Sequence, residues 1–188
     1  MKNRIKKIIE ESQKTKTLLL TKENLGLIEK AAKAMIQSVK KGQKIIVFGN
    51  GGSAADSQHM VAELVGRFKK ERPGIAAIAL TTNTSILTAI SNDYSYDVSF
   101  KRQIEALGTA GDVACGISTS GTAKNVNEAV KKAREMGLTT VSLTGKDGGA
   151  LKGLTDIAII VDSQDTPRIQ ESHILLIHIL CELIEEAL

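Results

Sequence analysis

Two periods divide the chain. Over residues 21–41 apolar positions recur at helical spacing, with Ile28, Ala32, Met35, Ile36 and Val39 on one face and Gly42 as the stop. A shorter helical segment precedes it, its charges interspersed with Ile5, Ile8 and Ile9. After Gly42 the period changes. Residues 44–48, 75–80, 113–117, 139–143 and 157–161 are short, largely apolar runs of strand length, with helical stretches between them. Runs that stay apolar instead of alternating predict strands covered on both faces, hence a parallel sheet joined by right-handed crossovers. The pattern therefore predicts one α/β domain over 1–188, a three-layer sandwich around a five-stranded parallel sheet, with 1–41 as a helical N-terminal extension. A last helix over 167–187 is apolar nearly all round in its middle, at Ile174, Leu175, Leu176, Ile177, Ile179 and Leu180. Such a helix is buried on several sides. Together with the N-terminal helices it predicts packing against a second subunit, in a symmetric homo-oligomer taken to be a tetramer.

Composition narrows the class. A chain of 188 residues with 42% hydrophobic and 24% charged residues can bury a single core, which argues against disorder. No run reaches the ~20 apolar residues of a membrane span, and residues 1–12 lack the apolar core of a signal peptide. Aromatics make up 3% with no Trp, which argues against a base-stacking nucleic-acid surface. The net charge of +4 is spread among acids, as at Lys131, Lys132, Arg134 and Glu135, and reads as solvated helix surface that also suits a phosphorylated metabolite. Cys115 and Cys181 lie in apolar runs without CxxC spacing, so they read as buried free thiols in a reducing compartment.

Three loops carry candidate chemistry. Gly49-Asn50-Gly51-Gly52-Ser53 follows the first strand and opens a helix, where glycines admit a ligand to the backbone and unpaired N–H groups meet an anion. Gly49-x-Gly51-x-x-Ala54 also fits a dinucleotide fingerprint, but the second strand ends Leu80-Thr81-Thr82-Asn83 and supplies no acid for a ribose. Ser118-Thr119-Ser120-Gly121-Thr122 follows the third strand and precedes a helix over 123–136; its hydroxyls can surround phosphate oxygens or merely cap that helix. Residues 144–149 follow the fourth strand. Ligands of open parallel sheets bind beyond the carboxyl ends of the strands, so all three loops share the expected edge. On the helix after the first loop, His59 and Glu63 stand one turn apart, which suits two ligands on one cation, an acid/base pair or a plain surface hydrogen bond. The last helix carries Gln170 and His178 amid apolar residues, roughly 12 Å of rise apart. His173 lies on a different face from His178 and reads as structural.

The segments GNGGSAADSQHMVAELVGRF, RPGIAAIAL, SNDYSYD, GISTSG, LTGKDGG and RIQESHILLIHIL, in this order and spacing, resemble the bacterial phosphoheptose isomerases across nearly the whole chain. GNGGS alone would indicate only the wider SIS-domain group. The resemblance implies a SIS fold and a cytoplasmic homotetramer with zinc-containing active sites at its subunit interfaces. It implies conversion of D-sedoheptulose 7-phosphate to D-glycero-D-manno-heptose 7-phosphate, a precursor of nucleotide-activated heptose. His59, Glu63, Gln170 and His178 are then ligands of one Zn2+ per subunit. Asn50, Gly51, Gly52, Ser53, Asn92, Asp93, Ser118, Thr119 and Ser120 contact substrate, with Glu63 and Gln170 beside it. Many members continue the phosphate loop as STSGxS, whereas this chain has Ala123 there, so Thr122 or Lys124 would compensate. Ketose-to-aldose conversion through a cis-enediol needs a base at C1 and an acid at C2, roles assigned to Glu63 and His178. The alternative is a non-catalytic SIS scaffold that binds the replication initiator; relatives of that kind lack the complete set of four.

Overall fold

The computed structural model describes residues 1–188. Two helices, α1 (Lys2–Thr17) and α2 (Lys22–Lys40), precede β1 (Ile45–Gly49), α3 (Gly52–Val65) and β2 (Ala77–Ala79). Then come α4 (Thr84–Asp93), α5 (Ser99–Leu107), β3 (Val113–Ser118), α6 (Lys124–Glu135) and β4 (Thr139–Gly145). A single turn α7 (Leu151–Leu154), β5 (Ile157–Val161) and α8 (Thr166–Glu186) complete the chain. The five strands pair in parallel in the order β2-β1-β3-β4-β5, the predicted sheet. The second strand is shorter than predicted because it is an edge, bonded only to β1 over three residues. Thr21 is the N-cap of α2, its hydroxyl accepting the Asn24 N–H, and Gly42 adopts the positive φ of a helix stop.

Alternate strand residues feed two cores. Ile45, Val47, Val113, Cys115, Ile117, Val141, Leu143, Ile157, Ile159 and Val161 meet α2, α3 and α8 on one face. Ile46, Phe48 and Ala114 meet Phe100, Ile104, Val126, Ala129 and Val130 on the other. α2 therefore belongs to the sandwich, supplying Ile28, Ala31, Ala32 and Met35, while α1 lies outside both cores. Only Thr15 of α1 is buried, Ile5 and Ile9 are more than half exposed, and buried Arg168 of α8 ties the helix down by donating to the Ile8 carbonyl at 2.8 Å. In the middle of α8, Leu176, Ile177 and Leu180 are fully buried, whereas Ile174, Leu175 and Ile179 are half-buried. No helix is long and apolar enough to cross a membrane.

The crossover after β1 leads to β2 and that after β3 leads the opposite way to β4. The loops following β1 and β3 thus flank the point where strand order reverses, which opens a crevice at the carboxyl edge of the sheet.

Candidate active site

Backbone geometry builds the crevice. A side chain on Gly49 would lie 2.7 Å from the Ile117 carbonyl oxygen, so only glycine lets β1 turn there. Gly51, with φ +57, is the N-cap of α3, and Ser53 is buried in its first turn. In the second loop the Ser118 hydroxyl accepts the Gly121 N–H at 3.1 Å, and the Ser120 and Thr122 hydroxyls pair at 2.8 Å. Gly121, at φ +66, packs against the Gly148 carbonyl, and Leu151 N–H bonds the Gly121 carbonyl at 3.0 Å. The second and third loops are thereby locked together. Ala123 caps α6 without a side-chain bond, and Lys124 pairs with Asp97 at 2.7 Å.

Asn50 spans the crevice. Its amide makes a reciprocal pair with that of buried Asn125, at 2.8 and 2.9 Å, and it receives the Tyr96 hydroxyl at 2.8 Å. Asn92 and Asp93 end α4, exposed and bonded to one another at 2.9 Å. Gln170 of α8 lies directly against Gly52, where any side chain at residue 52 would collide with its amide.

Two turns further along the same helices, His59, Glu63 and His178 bring their donor atoms within 4.8 Å of one another. The two Nε2 atoms stand 2.9 Å apart, and Glu63 Oε1 is 3.3 Å from His59. Gln170 pairs with Gly52 and His178 with His59, so α3 and α8 run parallel, and only three of the four predicted ligands converge in one cluster. On the turn between, Asp56 has one buried carboxylate oxygen without a partner; burial pushes its pKa up to about 6, against the pull of His59. Phe68 stacks on His178, ring centroids 5.5 Å apart at 27°.

An anchor sits behind the cluster. Glu185 accepts the backbone N–H groups of Phe68, Lys69 and Lys70 at 2.8–3.1 Å and Arg72 Nε at 3.1 Å. Arg72 in turn donates to the carbonyls of Glu63, Leu64, Gly66 and Pro73, capping the last turn of α3. His173 is structural, as predicted: its Nε2 donates to the Thr144 carbonyl at 3.0 Å, and burial lowers its pKa to about 4.

Asp56, Phe68, Arg72, Tyr96, Asn125 and Glu185 escape a reading of the sequence. Their partners lie up to 117 residues away, so spacing carries no trace of them. The one available signal was position: Asp56 and Phe68 fall inside GNGGSAADSQHMVAELVGRF, Arg72 opens RPGIAAIAL and Tyr96 lies in SNDYSYD, all segments that carry the resemblance.

The class of fold is set by residues 9–145, which match the family model described as SIS domain. A phosphoheptose isomerase of Geobacter sulfurreducens is 55% identical over 169 residues, 90% of this chain and 89% of that protein. The solved structure of a phosphoheptose isomerase from Neisseria gonorrhoeae is 44% identical with a TM-score of 0.87, covering 98% of this chain and 96% of the other. That of a phosphoheptose isomerase from Francisella tularensis is 36% identical with a TM-score of 0.94, covering 98% and 97%. The chain belongs to the phosphoheptose isomerase family of SIS-domain proteins.

Proposed function

We propose that the chain is an aldose–ketose isomerase that converts D-sedoheptulose 7-phosphate to D-glycero-D-manno-heptose 7-phosphate through a cis-enediol. The observation that carries this reading is the convergence of His59, Glu63 and His178 on the two helices that frame the hydroxyl-lined crevice. Glu63 takes the proton from C1 of the ketose, and His178, whose Nε2 is the atom turned to His59, acts as the opposing acid at C2 through Nδ1. Asn50, Gly51, Gly52 and Ser53 receive the sugar end, Asn92 and Asp93 its hydroxyls, and Ser118, Thr119 and Ser120 the phosphate.

The donor set fits zinc. Tetrahedral ligands at about 2.0–2.2 Å lie roughly 3.3–3.5 Å from one another; the His59–Glu63 separation of 3.3 Å matches that edge and the His59–His178 separation of 2.9 Å is a few tenths short of it. We assign one Zn2+ per subunit to these three residues; bound there, it supplies Lewis-acid polarisation of the substrate carbonyl. A ligated carboxylate is a weaker base, so Glu63 works through its second oxygen. Gln170 belongs to the same ligand set only in an assembly, where it serves a neighbouring subunit's cluster. Seven residues of helix, roughly 10 Å, separate Gly52 from His59. A homotetramer with active sites at its interfaces joins the loops of one subunit to the cluster of another, with 1–41 contributing to the packing. Exposed Ile5 and Ile9 and half-buried Ile174, Leu175 and Ile179 support such contacts. Cytoplasmic residence is supported by the two cysteines remaining free thiols.

The test is metal analysis of the purified protein together with an isomerase assay on sedoheptulose 7-phosphate in heavy water. Stoichiometric zinc, turnover and deuterium in the product support the reading. Metal-free, inactive protein that still tetramerises would instead favour the scaffold, and a monomer by light scattering at micromolar concentration would sink the shared site.

A further inference from the structure

A single backbone N–H fixes the chemistry of the Asn50 network. Val126 N–H, in the first turn of α6, meets one terminal atom of the Asn125 side chain at 3.0 Å. An N–H requires an acceptor, so that atom is Oδ1. The Asn50 atom 2.8 Å from it is therefore Nδ2, a donor. The remaining contact between the two amides, at 2.9 Å, then runs from Asn125 Nδ2 to Asn50 Oδ1. Tyr96 Oη lies 2.8 Å from the same Asn50 Oδ1, so the phenol can only donate there. No other orientation of the two amides satisfies every contact.

What remains unused defines the ligand. Asn50 Oδ1 has both lone pairs engaged, by Asn125 and by Tyr96. Asn50 keeps one Nδ2 hydrogen, and Tyr96 Oη keeps its lone pairs with its only proton committed. Asn125 is buried, but Tyr96 is 51% exposed and Asn50 half-buried, so the open functions belong to those two. A donor beside an acceptor matches an alcohol, which accepts with one lone pair and donates its own hydrogen. It does not match a phosphate oxygen, which brings only lone pairs against Tyr96 Oη. We infer that Asn50 and Tyr96 together grip one hydroxyl of the sugar chain, Asn50 Nδ2 donating to it and Tyr96 Oη accepting from it. Tyr96 is thus a substrate-binding residue that selects a polyhydroxylated chain. The ring is held for that task by Phe100, at 6.5 Å between centroids, and its neighbour Asp97 is tied to α6 through Lys124.

The inference rests on the sugar-phosphate reading above, and Tyr96→Phe separates the two, because it keeps the ring and its contact with Phe100 while removing one oxygen. Calorimetric titration with sedoheptulose 7-phosphate is expected to show Kd raised about fivefold in Tyr96→Phe, the loss of one hydrogen bond, with KM rising in step. Titration with inorganic phosphate is expected to give the same Kd for both proteins. A sugar-phosphate Kd within twofold of the parent overturns the inference and leaves the isomerase reading intact. Equal weakening of inorganic phosphate also overturns it, since the hydroxyl would then be a phosphate ligand. A parent protein that binds no sedoheptulose 7-phosphate overturns both.

Discussion

The two ends of the α3–α8 pair are built differently, although the same helices carry both. At the loop end, Gly49 and Gly121 let main chain approach main chain, Gly52 admits Gln170, and the groups on offer are backbone N–H, short hydroxyls and the Asn50 and Tyr96 side chains. At the far end, His59, Glu63 and His178 are long side chains whose placement depends on how two helices lie against each other. The first arrangement suits binding an anion by rigid geometry, whereas the second suits the proton transfer and cation binding proposed above. Damage at the loop end should therefore appear in substrate affinity, and damage at the cluster in turnover.

The largest effect expected is at the cluster. Glu63→Gln and His178→Ala should each lower kcat by about a thousandfold or more while inorganic phosphate still binds, as steady-state kinetics and calorimetry would show. Near-normal kcat in either variant would remove that residue from the mechanism. At the other end, Gly121→Ala places a side chain against the Gly148 carbonyl at a φ that disfavours it. Strain and overpacking together should cost about 3 kcal/mol in urea unfolding and weaken phosphate binding. If Gly121→Ala lowered kcat alone, the division of labour between the ends would be wrong.

A third variant tests the helix that both ends share. His173 pins α8 to β4 midway between Gln170 and His178, neutral and bonded to the Thr144 carbonyl. Its pKa, lowered to about 4 by burial, lies below the unfolded value near 6.5. The unfolded chain therefore binds the extra proton first, and the stability this group contributes is full above pH 6.5 and lost as pH falls towards 4. Between pH 7 and pH 5 the loss should be about 2 kcal/mol, and His173→Gln should flatten that part of the stability profile. An unchanged slope in the variant would assign the acid sensitivity elsewhere.

The same contrast explains what a reading of the sequence reached. The sheet was legible because each strand is a continuous apolar run bounded by turn residues; the predicted ends of α2 and α6 lie one residue outside the observed helices, and α8 starts and ends one residue earlier than predicted. The loop end was legible too, since glycines and hydroxyls act where they stand in the chain. His59 and Glu63 were found as a one-turn pair, but their meeting with His178 depends on helices that no local pattern positions. Gln170 shows the limit most clearly: motif and composition grouped it with His178, whereas the parallel packing of α3 and α8 sets it at Gly52. Arg72 and Glu185 were invisible because their bonds join an irregular loop to a helix more than a hundred residues away.

That last pair offers the finest test of the comparison. The Glu185 carboxylate gathers Phe68, Lys69, Lys70 and Arg72, and Arg72 holds the Glu63 carbonyl, so one buried carboxylate fixes both the stacking partner of His178 and the helix turn bearing Glu63. Groups that orient metal ligands from behind typically alter affinity tenfold or more when removed. Glu185→Gln keeps the volume but turns an NH2 group towards donors that need an acceptor. Competition with a chromophoric chelator should show zinc affinity falling about tenfold. Inorganic phosphate should keep its Kd within about twofold. Equal losses at both ends would mean that the anchor merely stabilises the fold, and the distinction between a rigid loop end and an adjustable cluster end would fail with it.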